Sequence, residues 1–117
     1  MIIKVKNDNF EIIKTFGFSQ SKVANFPQKL FKIVDIDKKY IIEVCNDSER
    51  SYNMWSGKDW KDVGVLKLWE CRKLELDYKW RDGIISPYYE RDRTHNELLI
   101  NYIQDLINAE VVEIVED

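Results

Sequence analysis

Asp77-Tyr78-Lys79 places a carboxylate and an ammonium two residues apart, inside a segment that alternates apolar and charged residues without a break from Lys73 to Arg81. On an extended strand, that spacing puts both groups on one face. Glu75 precedes them on the same face, and Asp62 lies upstream. Paired carboxylates with a nearby lysine are the groups that hold Mg²⁺ and stabilise charge during phosphodiester cleavage. The same residues also describe a solvated strand face of alternating charge, and acid-x-Lys triplets recur by composition in a chain that is 33% charged.

Asp62, Asp77 and Lys79 resemble the core of the PD-(D/E)xK nuclease family, over residues 62–79. Lys61 stands where that family has a proline, and the family's flanking helix-strand order is not apparent. The resemblance implies a metal-dependent nuclease with these three residues at its centre. It is the third of three functional readings.

Other chemistries have fewer parts. His95 is the single histidine, so it is the one candidate base with an unperturbed pKa near neutrality. No G-x-S-x-G or catalytic-cysteine signature accompanies it. Cys45 and Cys71 lie in apolar segments and read as reduced structural thiols. There is no C-x-x-C pair, so a zinc site is not expected. The four glycines, at 17, 57, 64 and 83, form neither a P-loop nor a dinucleotide fingerprint. No metal and no cofactor is assigned.

Recognition chemistry is better represented. Residues 49–93 hold all four tryptophans, four of six tyrosines and ten of 18 basic residues. Aromatic rings with Arg and Lys suit single-stranded nucleic acid, where rings stack on bases and cations meet phosphates. The same segment carries nine acids, and the whole chain has a net charge of −3, whereas nucleic-acid-binding domains are usually basic. Protein interfaces use the same residue types without requiring a basic surface. The expected binding residues are Trp55 and Trp60 in one connection, and Tyr88, Tyr89, Arg91 and Arg93 in another. Residues 94–117 contain six acids and no Lys or Arg. Asp105, Glu110 and Glu113 from that stretch form a second candidate surface, for a basic partner.

These residues must be positioned by a fold, and the spacing of apolar residues predicts one domain over residues 1–117 of α+β class. Its expected frame is a mainly antiparallel sheet of six or seven short strands, with a C-terminal amphipathic helix packed on it. Residues 2–6 and 10–16 read as a hairpin around Asn7-Asp8-Asn9. A short helix is expected near 19–26, capped by Ser19 and ended by Pro27. Lys29–Asp35 and Lys39–Asn46 read as a hairpin, 63–71 and 73–81 as strands, and 47–62 and 84–93 as long polar connections. Thr94 and Glu97 have the spacing of a capping box that starts a helix over 94–108. Val111–Val115 reads as a final strand.

No segment approaches the roughly 18 apolar residues of a membrane span, and the N-terminus lacks a signal-like apolar run. The expectation is a cytoplasmic protein. The leading functional expectation is a small non-catalytic protein that occludes a macromolecular partner. An inhibitor or immunity-type factor of phage or plasmid origin, acting on a nuclease, fits by analogy of size and charge. A single-stranded nucleic-acid-binding module comes second.

Overall fold

The computed structural model describes residues 1–20, 29–46, 63–79 and 85–115, with the backbone alone at 76–79 and 85–87. Tyr40–Cys45 forms the central strand, β4, and every residue from Tyr40 to Val44 is buried. A strand covered on both faces needs a near-continuous run of β-formers, which Tyr-Ile-Ile-Glu-Val-Cys supplies with one exception, Glu43. β4 pairs antiparallel with β3 (Lys29–Asp35) on one side and β5 (Leu66–Lys79) on the other. β2 (Ser19–Gln20) and β6 (Ile85–Thr94) complete a five-stranded sheet in the order β2-β3-β4-β5-β6. The β3–β4 turn matches its sequence: Asp35 Oδ1 accepts the Lys38 N–H at 3.0 Å, and Lys39 turns left-handed at φ 60°.

β1 (Ile2–Val5) and β7 (Val112–Val115) form a separate antiparallel pair. Gly64 joins the two sheets. Its N–H donates to Cys45 O at 2.6 Å and its carbonyl accepts from Val5 N at 2.8 Å. Its φ of 82° is one that a side-chain-bearing residue rarely takes.

The helices lie on one face of the main sheet. α1 (Phe10–Lys14), α2 (Leu99–Tyr102) and α3 (Gln104–Asn108) place Ile13, Leu99 and Leu106 against Leu30, Ile42, Val44, Leu66 and Leu68. Burying each such side chain contributes about 1.5–3 kcal/mol. The architecture is therefore α+β, with antiparallel sheets and helices packed on one of them. Among the described residues, no helix is long and apolar enough to cross a membrane.

Several local expectations are corrected. Asn7-Asp8-Asn9 is not a hairpin turn. Asn7 and Asp8 take left-handed φ values of 56° and 54°, and Asn9 Oδ1 caps α1 by accepting from Ile12 N at 3.4 Å. Phe10, Ile13 and Phe16 recur at helical spacing and pack on the core, while β1 finds its partner in the distant β7. Ser19 is in a strand, and residues 21–26 of the expected short helix lie outside the described residues. Segments 63–71 and 73–81 are largely one long strand, β5, and most of the connection expected at 84–93 is strand β6.

The helical C-terminal segment is broken. Ile103, with φ −127° and ψ 26°, separates α2 from α3. Thr94 ends β6 and caps nothing; a 3₁₀ turn at Asn96–Leu98 follows it. The Asn96 side chain instead accepts the Leu68 N–H at 3.0 Å, which ties the turn to β5.

Candidate functional site

β5 outruns the sheet. Its last pairing with β4 is Glu70 opposite Tyr40, and from Cys71 to Lys79 it pairs with β6 alone. At ~3.3 Å per residue this makes a two-stranded ribbon about 26 Å long. Departure from β4 coincides with two irregularities in register. Cys71 pairs with Arg91 and Lys73 with Glu90, leaving Arg72 as an extra residue on β5. Glu70 pairs with Arg93, leaving Asp92 as an extra residue on β6. Bulges of this kind bend a strand and re-aim its side chains. Cys71 N donates to Lys39 O at 2.8 Å, anchoring the bend to the β3–β4 turn.

The bulge at Asp92 sends Arg91 and Arg93 to opposite faces, although they are two residues apart. Arg91 joins the face that carries Phe31, Ile41, Trp69, Cys71 and Tyr89. At its centre is Glu43, the one buried charged residue described, with 7% exposure. Arg91 Nη1 donates to Glu43 Oε1 at 3.1 Å, the Tyr89 hydroxyl donates to Oε2 at 2.5 Å, and Lys29 Nζ lies 4.0 Å from Oε1. The guanidinium also covers the Trp69 ring, 4.9 Å from its centroid. Burial, then the Glu43 charge, pushes the Tyr89 hydroxyl pKa up, so Tyr89 stays a donor. Burial, reinforced by Glu43, pushes the Cys71 thiol from 9.0 up to about 11. A thiol this reluctant to ionise is a poor nucleophile.

Arg93 turns to the helix side of the sheet. Its Nε donates to Glu70 Oε1 at 2.9 Å, and His95 Nε2 lies 3.5 Å from Glu70 Oε2. His95 packs against the Tyr40 ring at 5.6 Å, and its Nδ1 sits 3.2 Å from Glu97 Oε1. The Glu97 carboxylate accepts its own backbone N–H and the His95 contact, which hold its pKa below the usual range. It makes no capping box with Thr94.

Tyr88 belongs to the outer ribbon and faces away from Tyr89. Its hydroxyl donates to Glu90 Oε1 at 2.7 Å, Lys73 Nζ lies 5.5 Å from its ring centroid, and Arg72 Nε donates to Glu90 Oε2 at 3.1 Å. The hydrogen bond raises the Tyr88 pKa and lowers that of Glu90. Tyr88 remains 41% exposed, and Lys73 and Glu75 are exposed beside it.

The residues expected at one patch therefore separate. Tyr89 and Arg91 meet at Glu43, Tyr88 stands on the ribbon's other face, and Arg93 meets Glu70. Trp55, Trp60 and Asp62 lie outside the described residues. Asp77 and Lys79 lie in the outer part of β5, where only the backbone is described. No group of three or more potential metal ligands occurs among the described residues.

The expected acidic surface is also divided. Asp105 lies 3.9 Å from Lys32 Nζ of β3, and it sits in the first turn of α3, where the helix dipole favours an anion. The break at Ile103 reverses the unfavourable placement implied by a continuous helix. Glu110 follows α3 with φ 58° and completes a Schellman motif: its N–H donates to Ile107 O at 3.1 Å, and Val111 N donates to Leu106 O at 3.2 Å. Glu113 is exposed on β7, opposite Lys4 of β1.

Glu43 was absent from the residues singled out by sequence. Its signal was present nonetheless, as one carboxylate inside the apolar run Tyr40–Cys45. A charge at such a position must be paired or expelled.

The fold and its extended ribbon define a small α+β protein with antiparallel sheets, helices on one face and a projecting β-hairpin. No family model, curated protein or solved structure matches this chain.

Proposed function

We propose that this chain is a small non-catalytic binding protein that occludes a protein partner, with the β5–β6 ribbon as its main contact surface. The observation that supports this reading is the pairing of the described arginines of β5 and β6. Arg72 is bonded to Glu90, Arg91 to Glu43 and Arg93 to Glu70. A phosphate backbone would have to compete with a carboxylate at each of them, and nucleic-acid affinity comes largely from cations that neutralise phosphates. A surface of matched charges around an exposed tyrosine instead fits the polar, aromatic character of protein interfaces. The inhibitor-type role, with a basic nuclease cleft as its target, is the finer form of this proposal.

Two measurements test it. Tryptophan fluorescence is followed during titration with mixed-sequence RNA and DNA at low and high salt, with and without Mg²⁺. The expected trace is flat; salt-sensitive quenching would move the assignment to nucleic acid, and cleavage with Mg²⁺ would favour a nuclease. Quantitative affinity capture then compares the natural chain with a Lys73→Glu, Tyr88→Ala double variant. A partner retained by the first and lost by the equally stable second supports the ribbon. A partner held equally by both overturns it.

A further inference from the structure

Among the described residues, β7 has one paired edge and one open edge. Lys6 N donates to Val111 O at 2.9 Å, whereas Val5 N points away from β7, to Gly64 O. Backbone pairing in an antiparallel ladder alternates, so Lys4 opposite Glu113 and Ile2 opposite Val115 are the pairs that exchange bonds. The N–H and C=O groups of Val112 and Ile114 therefore point outward. Among the described residues, β1 is the one strand paired with β7.

Both faces of the open edge expose apolar side chains. Ile114 shares its face with the buried Val112, yet it is 44% exposed. Its cross-strand partner Ile3 lines a cavity of about 320 Å³ together with Ile2, Leu66 and Leu99. On the opposite face, Ile2 and Val115 are 38% and 40% exposed. Edge strands are usually blunted by charge or proline. β6 shows both devices, with Pro87 and the run Glu90-Arg91-Asp92-Arg93. β7 has Glu113 alone.

Charge identifies the occupant. Glu113 stands opposite Lys4 of β1, and residues 94–117 carry no Lys or Arg. A second copy pairing β7 with β7 would bring Glu110 and Glu113 of both chains together, which is unfavourable. β1 itself, Ile2-Ile3-Lys4-Val5, shows the complementary pattern on the occupied edge. We infer that the open edge of β7 accepts an extended apolar-basic segment of a partner protein as an added strand. An apolar residue packs over Ile114 and a Lys or Arg lies beside Glu113. Main-chain bonds to Val112 and Ile114 supply affinity, and the alternating side chains supply specificity. This surface is built from different elements than the ribbon and does not depend on it.

The test uses a capped octapeptide alternating Ile or Val with Lys, and a control with Glu in place of Lys. Amide NMR spectra of the full chain are recorded with each peptide at millimolar concentration. The expected result is shifts centred on Val112, Glu113, Ile114 and Ile3 with the Lys peptide only, and a loss of affinity of about tenfold or more in Ile114→Lys. The Lys73→Glu, Tyr88→Ala variant should bind the peptide normally, which separates this site from the ribbon. Absent shifts at β7, equal shifts with the Glu peptide, or self-association abolished by Ile114→Lys would each overturn the inference. The last outcome would assign the edge to a second copy.

Discussion

The Tyr89 hydroxyl donates to Glu43 Oε2 at 2.5 Å, across 46 residues of sequence, and thereby ties the ribbon to the central strand. Glu43 accepts from both β6 residues that reach it, Tyr89 and Arg91. Removing the carboxylate strands a half-buried hydroxyl and releases an arginine that is 44% exposed and can relax into water. Glu43→Ala is expected to cost about 2–4 kcal/mol, below the full penalty for breaking a buried ion pair because of that relaxation. Tyr89→Phe, which leaves the carboxylate its arginine, should cost about 1.5–3 kcal/mol. Urea unfolding of the two variants checks both the sizes and their order.

Alkaline pH should weaken the fold through Cys71 and Tyr89. Both groups have raised pKa values in the folded chain, so the folded state holds their protons more tightly than the unfolded state. Their stabilising contribution is complete below the unfolded pKa and is lost as pH rises through the folded one. For Cys71 the window runs from 9.0 to about 11; for Tyr89 it opens near 10.0 and extends upward. Urea midpoints measured from pH 7 upward should fall across this range, and Cys71→Ala should flatten the first part of the decline. A thiol reagent at neutral pH should label Cys71 only as fast as the chain opens.

The start of the C-terminal helical segment gives a direct contrast between two positions. Asn96→Ala leaves the Leu68 N–H without its acceptor and should cost about 1–2 kcal/mol, whereas Asn96→Asp keeps an acceptor there. Thr94→Ala should change stability by less than about 0.5 kcal/mol, because Thr94 caps no helix. Equal losses at 94 and 96 in thermal or urea unfolding would contradict this assignment.

Glu110 occupies a left-handed position that glycine takes without steric cost. Glu110→Gly should stabilise the chain by about 0.5–1 kcal/mol, with the gain in native backbone ease partly offset by the greater freedom of glycine when unfolded. Glu110→Ala removes the same charge but keeps the Cβ, so it should show little of the gain. Comparing the two melting temperatures separates backbone strain from charge.

The sequence by itself determined what local chemistry controls. Tyr40–Cys45 is a run of β-formers and became the central strand; Asp35 turned the β3–β4 hairpin; the apolar stripe of 98–107 became the helical cover of the sheet. The tertiary structure decided what depends on distant partners. Asn7-Asp8-Asn9 has turn chemistry, and such residues serve a hairpin or a helix start equally well; β1 pairing with β7, more than a hundred residues away in sequence, selected the helix. The C-terminal helix breaks at Ile103, a residue that is 1% exposed and held by the core rather than by any local stop signal. Tyr88, Tyr89, Arg91 and Arg93 read as one cluster because 84–93 reads as a polar connection; in strand β6, alternation separates Tyr88 from Tyr89, and a change of register at Asp92 separates Arg91 from Arg93. Bulges at Arg72 and Asp92 shift that register, and bulges arise from pairing between strands, which no single segment encodes.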